Sequence, residues 1–194
     1  MKKIIGLLLM GILVSGCRDY EKIIGDAREH KKKVGKQIID GEEEPPFPNE
    51  SENNKTLRGV DVNQNGIRDD VEIWINYVGK DRNHRMALRQ LAKMDQTRMI
   101  AGEEGDQKYR IQVAKDYWDA SNCASFFEKG QEFEKRASYK IVKIVYNVSE
   151  RENAYKKFHS NVIVYESNDE NFNLGKAFTA CNFKIDNLNG LIEK

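Results

Sequence analysis

The stretch Asp61-Val62-Asn63-Gln64-Asn65-Gly66-Ile67-Arg68-Asp69-Asp70-Val71-Glu72 decides how the rest of the chain is read. Oxygen-bearing side chains stand at its first, third, fifth, ninth and twelfth positions (Asp61, Asn63, Asn65, Asp69 and Glu72), and Gly66 stands sixth. A hard cation takes about six to eight oxygens, and glycine in sixth place allows the sharp turn that wraps a loop around it. The backbone carbonyl of Ile67, in seventh place, adds a further donor, and Glu72 closes the site with both carboxylate oxygens. The spacing predicts a calcium site. Magnesium, which demands a tighter octahedron, suits it less, and amides at positions 63 and 65 place the expected affinity at about 10⁻⁵ to 10⁻³ M. The competing reading is an Asx-rich turn that caps a helix and holds no metal.

Working outward, Asp69 and Asp70 fall in the first turn of a predicted helix over about 69–79, where carboxylates favour the positive end of the dipole. Val71, Trp74, Ile75 and Val78 form its apolar stripe. A second helical face covers 82–101 through Met86, Leu88, Leu91, Ala92, Met94, Met99 and Ile100, and Gly102-Glu-Glu-Gly105 breaks it. Asp106 can cap a third helix reaching about Ser121. A fourth covers 131–147, although the β-branched run Lys140–Tyr146 could also be a strand. Ser149-Glu-Arg-Glu152 has the pattern of a capping box. Val162–Tyr165 is the best strand candidate, and 174–193 is helical or mixed. The expected fold class is mainly α: an irregular bundle of five or six short helices, spanning 57–194 and beginning with a loop-helix calcium site at 61–72.

The loop resembles the calcium loops of bacterial thrombospondin type 3 repeats and dockerin-like modules, over these twelve residues alone. It departs from ordinary EF-hands in two respects. Thr56–Val60 offers no entering helix, and Arg68 occupies the eighth position, where paired loops join through an apolar residue. No second such loop is present, so the resemblance implies a solitary structural site. The loop-helix together with Ser149-Glu-Arg-Glu-Asn-Ala-Tyr155 resembles uncharacterised bacterial lipoproteins, a likeness that brings no function with it.

Met1-Lys2-Lys3 and the apolar run Ile4–Val14 have the form of a signal peptide. Eleven residues are too few for a membrane-spanning helix, which needs about 20. Val14-Ser15-Gly16-Cys17 resembles the lipobox of bacterial lipoproteins, which implies cleavage after Gly16 and a lipid anchor on Cys17, the first mature residue. Three acyl chains exceed what stable anchoring requires. Arg18 stands where aspartate would favour inner-membrane retention, with Asp19 one place later. By that analogy the protein belongs at the periplasmic face of the outer membrane rather than the inner. Residues 17–56 are expected to be a flexible tether, rich in charge and holding all three prolines, with an r.m.s. reach of roughly 35 Å.

The basic run His30–Lys33 and the acidic run Glu42–Glu44 nearly cancel, and losing Lys2 and Lys3 with the leader moves the net charge from +1 to −1. A nucleic-acid binder would carry a basic patch, so none is expected as partner. In an oxidising compartment Cys123 and Cys181 should pair, which in the chain-entropy account contributes roughly 4 kcal/mol. There is no H-E-x-x-H, G-x-S-x-G, phosphate loop or C-x-x-C. His30, His84 and His159 are expected at the surface, as are Asp116 and Asp119 beside Trp118. The function these features favour is a non-catalytic, calcium-stabilised envelope lipoprotein, held to the membrane by its lipid, that binds a protein or envelope component. A more specific form is an immunity or inhibitor lipoprotein against an envelope-targeting toxin. The alternative from another class is a small hydrolase acting on peptidoglycan or lipid.

Overall fold

A computed structural model describes residues 13–162 and 174–192, with side chains from Asp19 to Val162 and from Ala177 to Leu191. The chain is mainly α, as its periodicity predicts. Its order is α1 (Leu13–Val34), β1 (Ile38–Ile39), β2 (Glu42–Glu43), α2 (Glu50–Asn53), α3 (Asp69–Val78), α4 (Arg82–Glu104), α5 (Gln107–Phe127), α6 (Ala137–Val145), α7 (Ser149–Asn161) and α8 (Leu188–Ile192). Short 3₁₀ turns cover Phe133–Lys135 and Leu174–Ala180. The described residues thus carry eight α-helices where five or six were expected. Among them no helix is long and apolar enough to cross a membrane. The predicted strand at 162–165 lies outside the described residues apart from Val162, which caps α7 with extended backbone.

The segment read as a flexible tether is ordered. Tyr20, Ile24 and Ala27 recur at helical spacing on α1 and are buried in the main core beside Trp74, Ile75, Ile141 and Ile144. Tyr20, Ile23 and Ile24 by themselves give helical periodicity without a sustained stripe, and Ala27 and the buried Lys31 complete it. Gly35, at φ 70°, ends the helix, its N–H bonding the Lys31 carbonyl at 3.0 Å. Asp40 (φ 55°) and Gly41 (φ 95°) then form the two-residue turn of an antiparallel hairpin that pairs Ile38 with Glu43 and Ile39 with Glu42. An Asp-Gly turn of this kind matches the twist of its strands. The Lys31 ammonium donates to the buried Glu44 carboxylate at 2.8 Å and closes the segment back onto α1.

Caps decide the helix boundaries beyond. Asp81 accepts the His84 N–H and Asp106 the Tyr109 N–H, which starts α4 and α5. Only Gly105 and Asp106 separate those helices, so they run antiparallel and side by side. At Gly102 a Cβ would lie 2.6 Å from the Ala154 carbonyl, and the missing side chain lets α4 and α7 touch. The helix expected over 131–147 is divided at Arg136, whose backbone is extended. Glu128, buried at the end of α5, accepts the Ser138 N–H at 3.1 Å and so caps the shorter α6 from outside. The capping box at Ser149 does not form. Val148 is the N-cap residue, and the Ser149 hydroxyl donates to Glu150 instead.

Arg68 and Asp70, both fully buried, hold these parts together. Arg68 donates to Asp70 through Nε (2.6 Å) and Nη2 (3.0 Å), and to the Ile144 and Val145 carbonyls at the end of α6 (2.8 and 3.2 Å). The Tyr20 hydroxyl of α1 donates to the same carboxylate at 2.7 Å. Nearby, Arg151 on α7 donates to the carbonyls of Asn53, Thr56 and Leu57 and fixes the approach to the loop. Removing one member of a buried pair strands the other charge. Arg68→Met or Asp70→Leu should each lower unfolding free energy by about 3–5 kcal/mol in urea, and the double substitution should cost less than the sum of the two.

Candidate metal centre

The twelve-residue loop is closed by its own polar groups. The Asp69 N–H donates to the Val60 carbonyl at 2.9 Å, and the Val62 N–H donates to the Asp69 carboxylate at 3.1 Å, so entry and exit lie side by side. Asp61 accepts the N–H groups of Asn65 (3.2 Å) and Gly66 (2.9 Å). The Asn63 and Asn65 side-chain oxygens accept the N–H groups two residues on, at 3.3 and 2.8 Å, as Asx turns do. Gly66 sits at φ 85°, the left-handed conformation for which glycine was expected in sixth place. Ile67 plugs the loop into the core.

Glu72 is buried in the first turn of α3. Its Oε2 receives the side-chain amides of Asn63 (3.1 Å) and Asn65 (2.9 Å), and its Oε1 lies 3.9 Å from Arg89 Nε. Burial pushes the Asp69 carboxyl up to about 6, with the charges of Asp61, Glu72 and Asp70 adding to the rise. Burial also pushes Glu72 up, against the amide donors and Arg89. The loop therefore concentrates negative charge that its own hydrogen bonds only partly offset.

Of the predicted donors, the structure gathers Asn63 and Asn65 onto Glu72 and places Asp61 against the fifth and sixth N–H groups. The Asp69 carboxylate accepts the Val62 N–H with both oxygens in reach. Among the described residues no set of three or more His, Cys, Asp or Glu side chains is gathered closely enough to hold a metal ion. Two of the six predicted donors are amides and one is a backbone carbonyl, so carboxylates supply only half of the set. In number, hardness and chain order the donors fit a calcium ion.

Several residues that brace the loop carry no local motif. Gln96 on α4 donates to the Gly66 carbonyl at 3.0 Å and accepts the Arg68 N–H at 2.9 Å, and Lys93 donates to the Asn65 carbonyl at 3.0 Å. The Asp40 carboxylate in the hairpin turn is held by Arg85 and Arg89, which keep it low, at about 2. The Asp40-Gly41 dipeptide between apolar and acidic pairs was the available signal for that hairpin.

Other polar clusters are internal. His84, expected at the surface, is buried and accepts the Lys80 N–H on Nδ1, so its Nε2–H faces Glu128 at 3.3 Å. The Ser138 hydroxyl donates to that same carboxylate. Arg98 lies 3.8 Å over the Tyr117 ring, pairs with buried Asp95 at 3.2 Å and meets exposed His159 at 2.8 Å. Trp118 is exposed, and Asp116 accepts from Gln112 on the same helix. The Sγ atoms of Cys123 and Cys181 are at bonding distance, which ties the C-terminal segment to α5, and Phe126 packs there against Phe178.

No family model matches the chain, and neither a curated protein nor a solved structure shows significant similarity to it.

Asp95 gives this polar interior a pH signature. Burial raises its carboxyl to about 6 despite Arg98 and the Tyr146 hydroxyl, so the folded state holds a proton that the unfolded chain releases near its ordinary 3.8. Its contribution is full below pH 4 and is lost as pH rises through 6. Relative to Asp95→Asn, the wild-type protein should lose on the order of 1–3 kcal/mol of stability between pH 4 and 7. Parallel urea curves at several pH values measure this.

Proposed function

We propose that the protein is a non-catalytic lipoprotein of the bacterial envelope, anchored through Cys17 at the periplasmic face of the outer membrane. In this reading calcium in the loop stabilises a helical domain that binds another protein or envelope component. One observation carries the calcium part. Asn65 donates its backbone N–H to Asp61 and its side-chain amide to Glu72, so one residue spans the first and last ligand positions. A capping turn requires no such convergence of the two loop ends.

When bound, calcium would supply charge compensation and cross-linking. Asp61, Asp69 and Glu72 would hold it by carboxylate, Asn63 and Asn65 by amide oxygen, and Ile67 by its carbonyl. For this the two amides must turn their oxygens inward and give up their bonds to Glu72. That exchange of partners accords with weak affinity and with a site suited to a compartment rich in calcium.

Packing of α1 onto the core bears on how such an anchor would hold the domain. Tyr20 is buried three residues after Cys17, about 5 Å along a helix axis. The domain would rest against the lipid headgroups, with its partner surface on the sides and far end. Exposed Trp118 and Tyr109, both on α5, are aromatic anchors of the kind that interfaces use.

The test is a calcium titration by calorimetry on the full-length lipidated protein in detergent, stripped beforehand with chelator. Binding with a dissociation constant of about 10⁻⁵ to 10⁻³ M is expected, and Asp61→Asn and Glu72→Gln should abolish it. Saturating calcium, at 100 times that constant, should contribute about 2.7 kcal/mol and raise Tm by roughly 5–10 °C. Absence of both heat and thermal shift at millimolar calcium would remove the reading.

A further inference from the structure

Arg89 on α4 lies between the cation loop and the β1–β2 hairpin. Its Nη1 donates to the Asp40 carboxylate in the hairpin turn at 2.6 Å, and its Nη2 donates to the Asn76 side-chain oxygen of α3 at 2.5 Å. Its Nε is buried, meets no acceptor among the described residues, and points toward Glu72 Oε1 from 3.9 Å. Asn76 in turn donates to Glu44, which pairs with Lys31 at the end of α1. One guanidinium therefore links the closing residue of the loop to the hairpin and to the N-terminal helix. On the near side, a cavity of about 290 Å³ lies between hairpin and loop, and Asp40, Asn65, Ile67 and Arg89 are among the residues that line it.

We infer that Arg89 is a resident counter-cation for Glu72, competing with calcium at the twelfth loop position and coupling cation occupancy to the hairpin. The inference rests on the calcium reading above. Glu72 cannot give both oxygens to a divalent ion and remain a partner of a guanidinium 3.9 Å away, because two cations would then crowd one carboxylate. Without calcium, Arg89 keeps its bonds to Asp40 and Asn76 while its charge also balances Glu72 from 3.9 Å. When calcium enters, Glu72 turns to the ion, and the guanidinium charge is left to Asp40, which Arg85 also holds. Linkage makes the effect reciprocal: whatever strengthens the hold of Asp40 on Arg89 raises calcium affinity, and calcium stiffens the hairpin.

The experiment is calcium calorimetry on full-length protein in detergent, comparing wild type with Arg89→Gln, Arg89→Lys and Asp40→Asn. Arg89→Gln should bind calcium about tenfold more tightly, since a unit charge is removed from beside the ligand carboxylate. Arg89→Lys, which keeps the charge, should stay within about threefold of wild type. Asp40→Asn, which leaves Arg89 to Glu72, should bind about threefold more weakly. Hydrogen exchange at residues 36–44 should slow on adding calcium to wild type and not to Arg89→Gln. A purely structural role would weaken binding in every variant, so tighter binding separates competition from damage. Calcium binding by wild type with equal or weaker binding by folded Arg89→Gln overturns the role of Arg89 and leaves the calcium site standing. No binding by wild type or by Arg89→Gln overturns both.

Discussion

The buried ion pair between Arg68 and Asp70 is the constraint on which the rest of the structure depends. Taking two charges into a core costs several kcal/mol each, and only full hydrogen bonding offsets that cost. Here the guanidinium makes four hydrogen bonds, and the carboxylate accepts four, from Arg68 twice, Tyr20 and the Val71 N–H. Burial would raise the Asp70 carboxyl, but Arg68 and the Tyr20 hydroxyl together hold it below the ordinary carboxylate range. The pair also accounts for the loop's position. Arg68 and Asp70 flank Asp69, so the ninth-position donor cannot move without moving two residues locked into the core.

The same pair explains why the N-terminal helix belongs to the domain. Tyr20 gives the carboxylate its fourth donor, and Ile24 and Ala27 cover the apolar wall beside it. Lys31, Glu44 and Asn76 continue the contact to the hairpin and α3. A freely moving leash would leave Asp70 one donor short inside the core, a cost that holds α1 in place.

Much of this was legible in the chain. Helices α3, α4 and α5 follow from apolar periodicity, and the start of α5 from Asp106 as its cap, because those signals are local. The loop's turn follows from Gly66 for the same reason. What was not legible depends on partners far away in sequence. Arg68 reads as a solvent residue at a vacant pairing position until the end of α6, 76 residues on, supplies two carbonyls for it. Glu128 caps a helix ten residues ahead and divides what periodicity presents as one continuous element. His84 looks exposed among charges because Glu128, its partner on Nε2, is 44 residues away in sequence and meets it only in three dimensions. The ordered N-terminal segment was partly legible after all, since Tyr20, Ile24, Ala27 and Lys31 have helical spacing and Asp40-Gly41 has hairpin chemistry.

The loop at 61–72 is braced from outside by α4. Lys93 holds the carbonyl of Asn65 and Gln96 that of Gly66, and Gln96 also receives the Arg68 N–H, so three positions of the loop are fixed from one helix. Fixing the backbone reduces the ordering that a ligand would otherwise have to impose. The same helix brings Arg89 to within 3.9 Å of Glu72. On the calcium reading, the rigid backbone and the occupied side chains would act in opposite directions on affinity. The first would keep the loop folded when empty, and the second would make a bound cation displace internal partners, since Asn63 and Asn65 both donate to Glu72. A loop built this way could change the pairing of its side chains without having to refold.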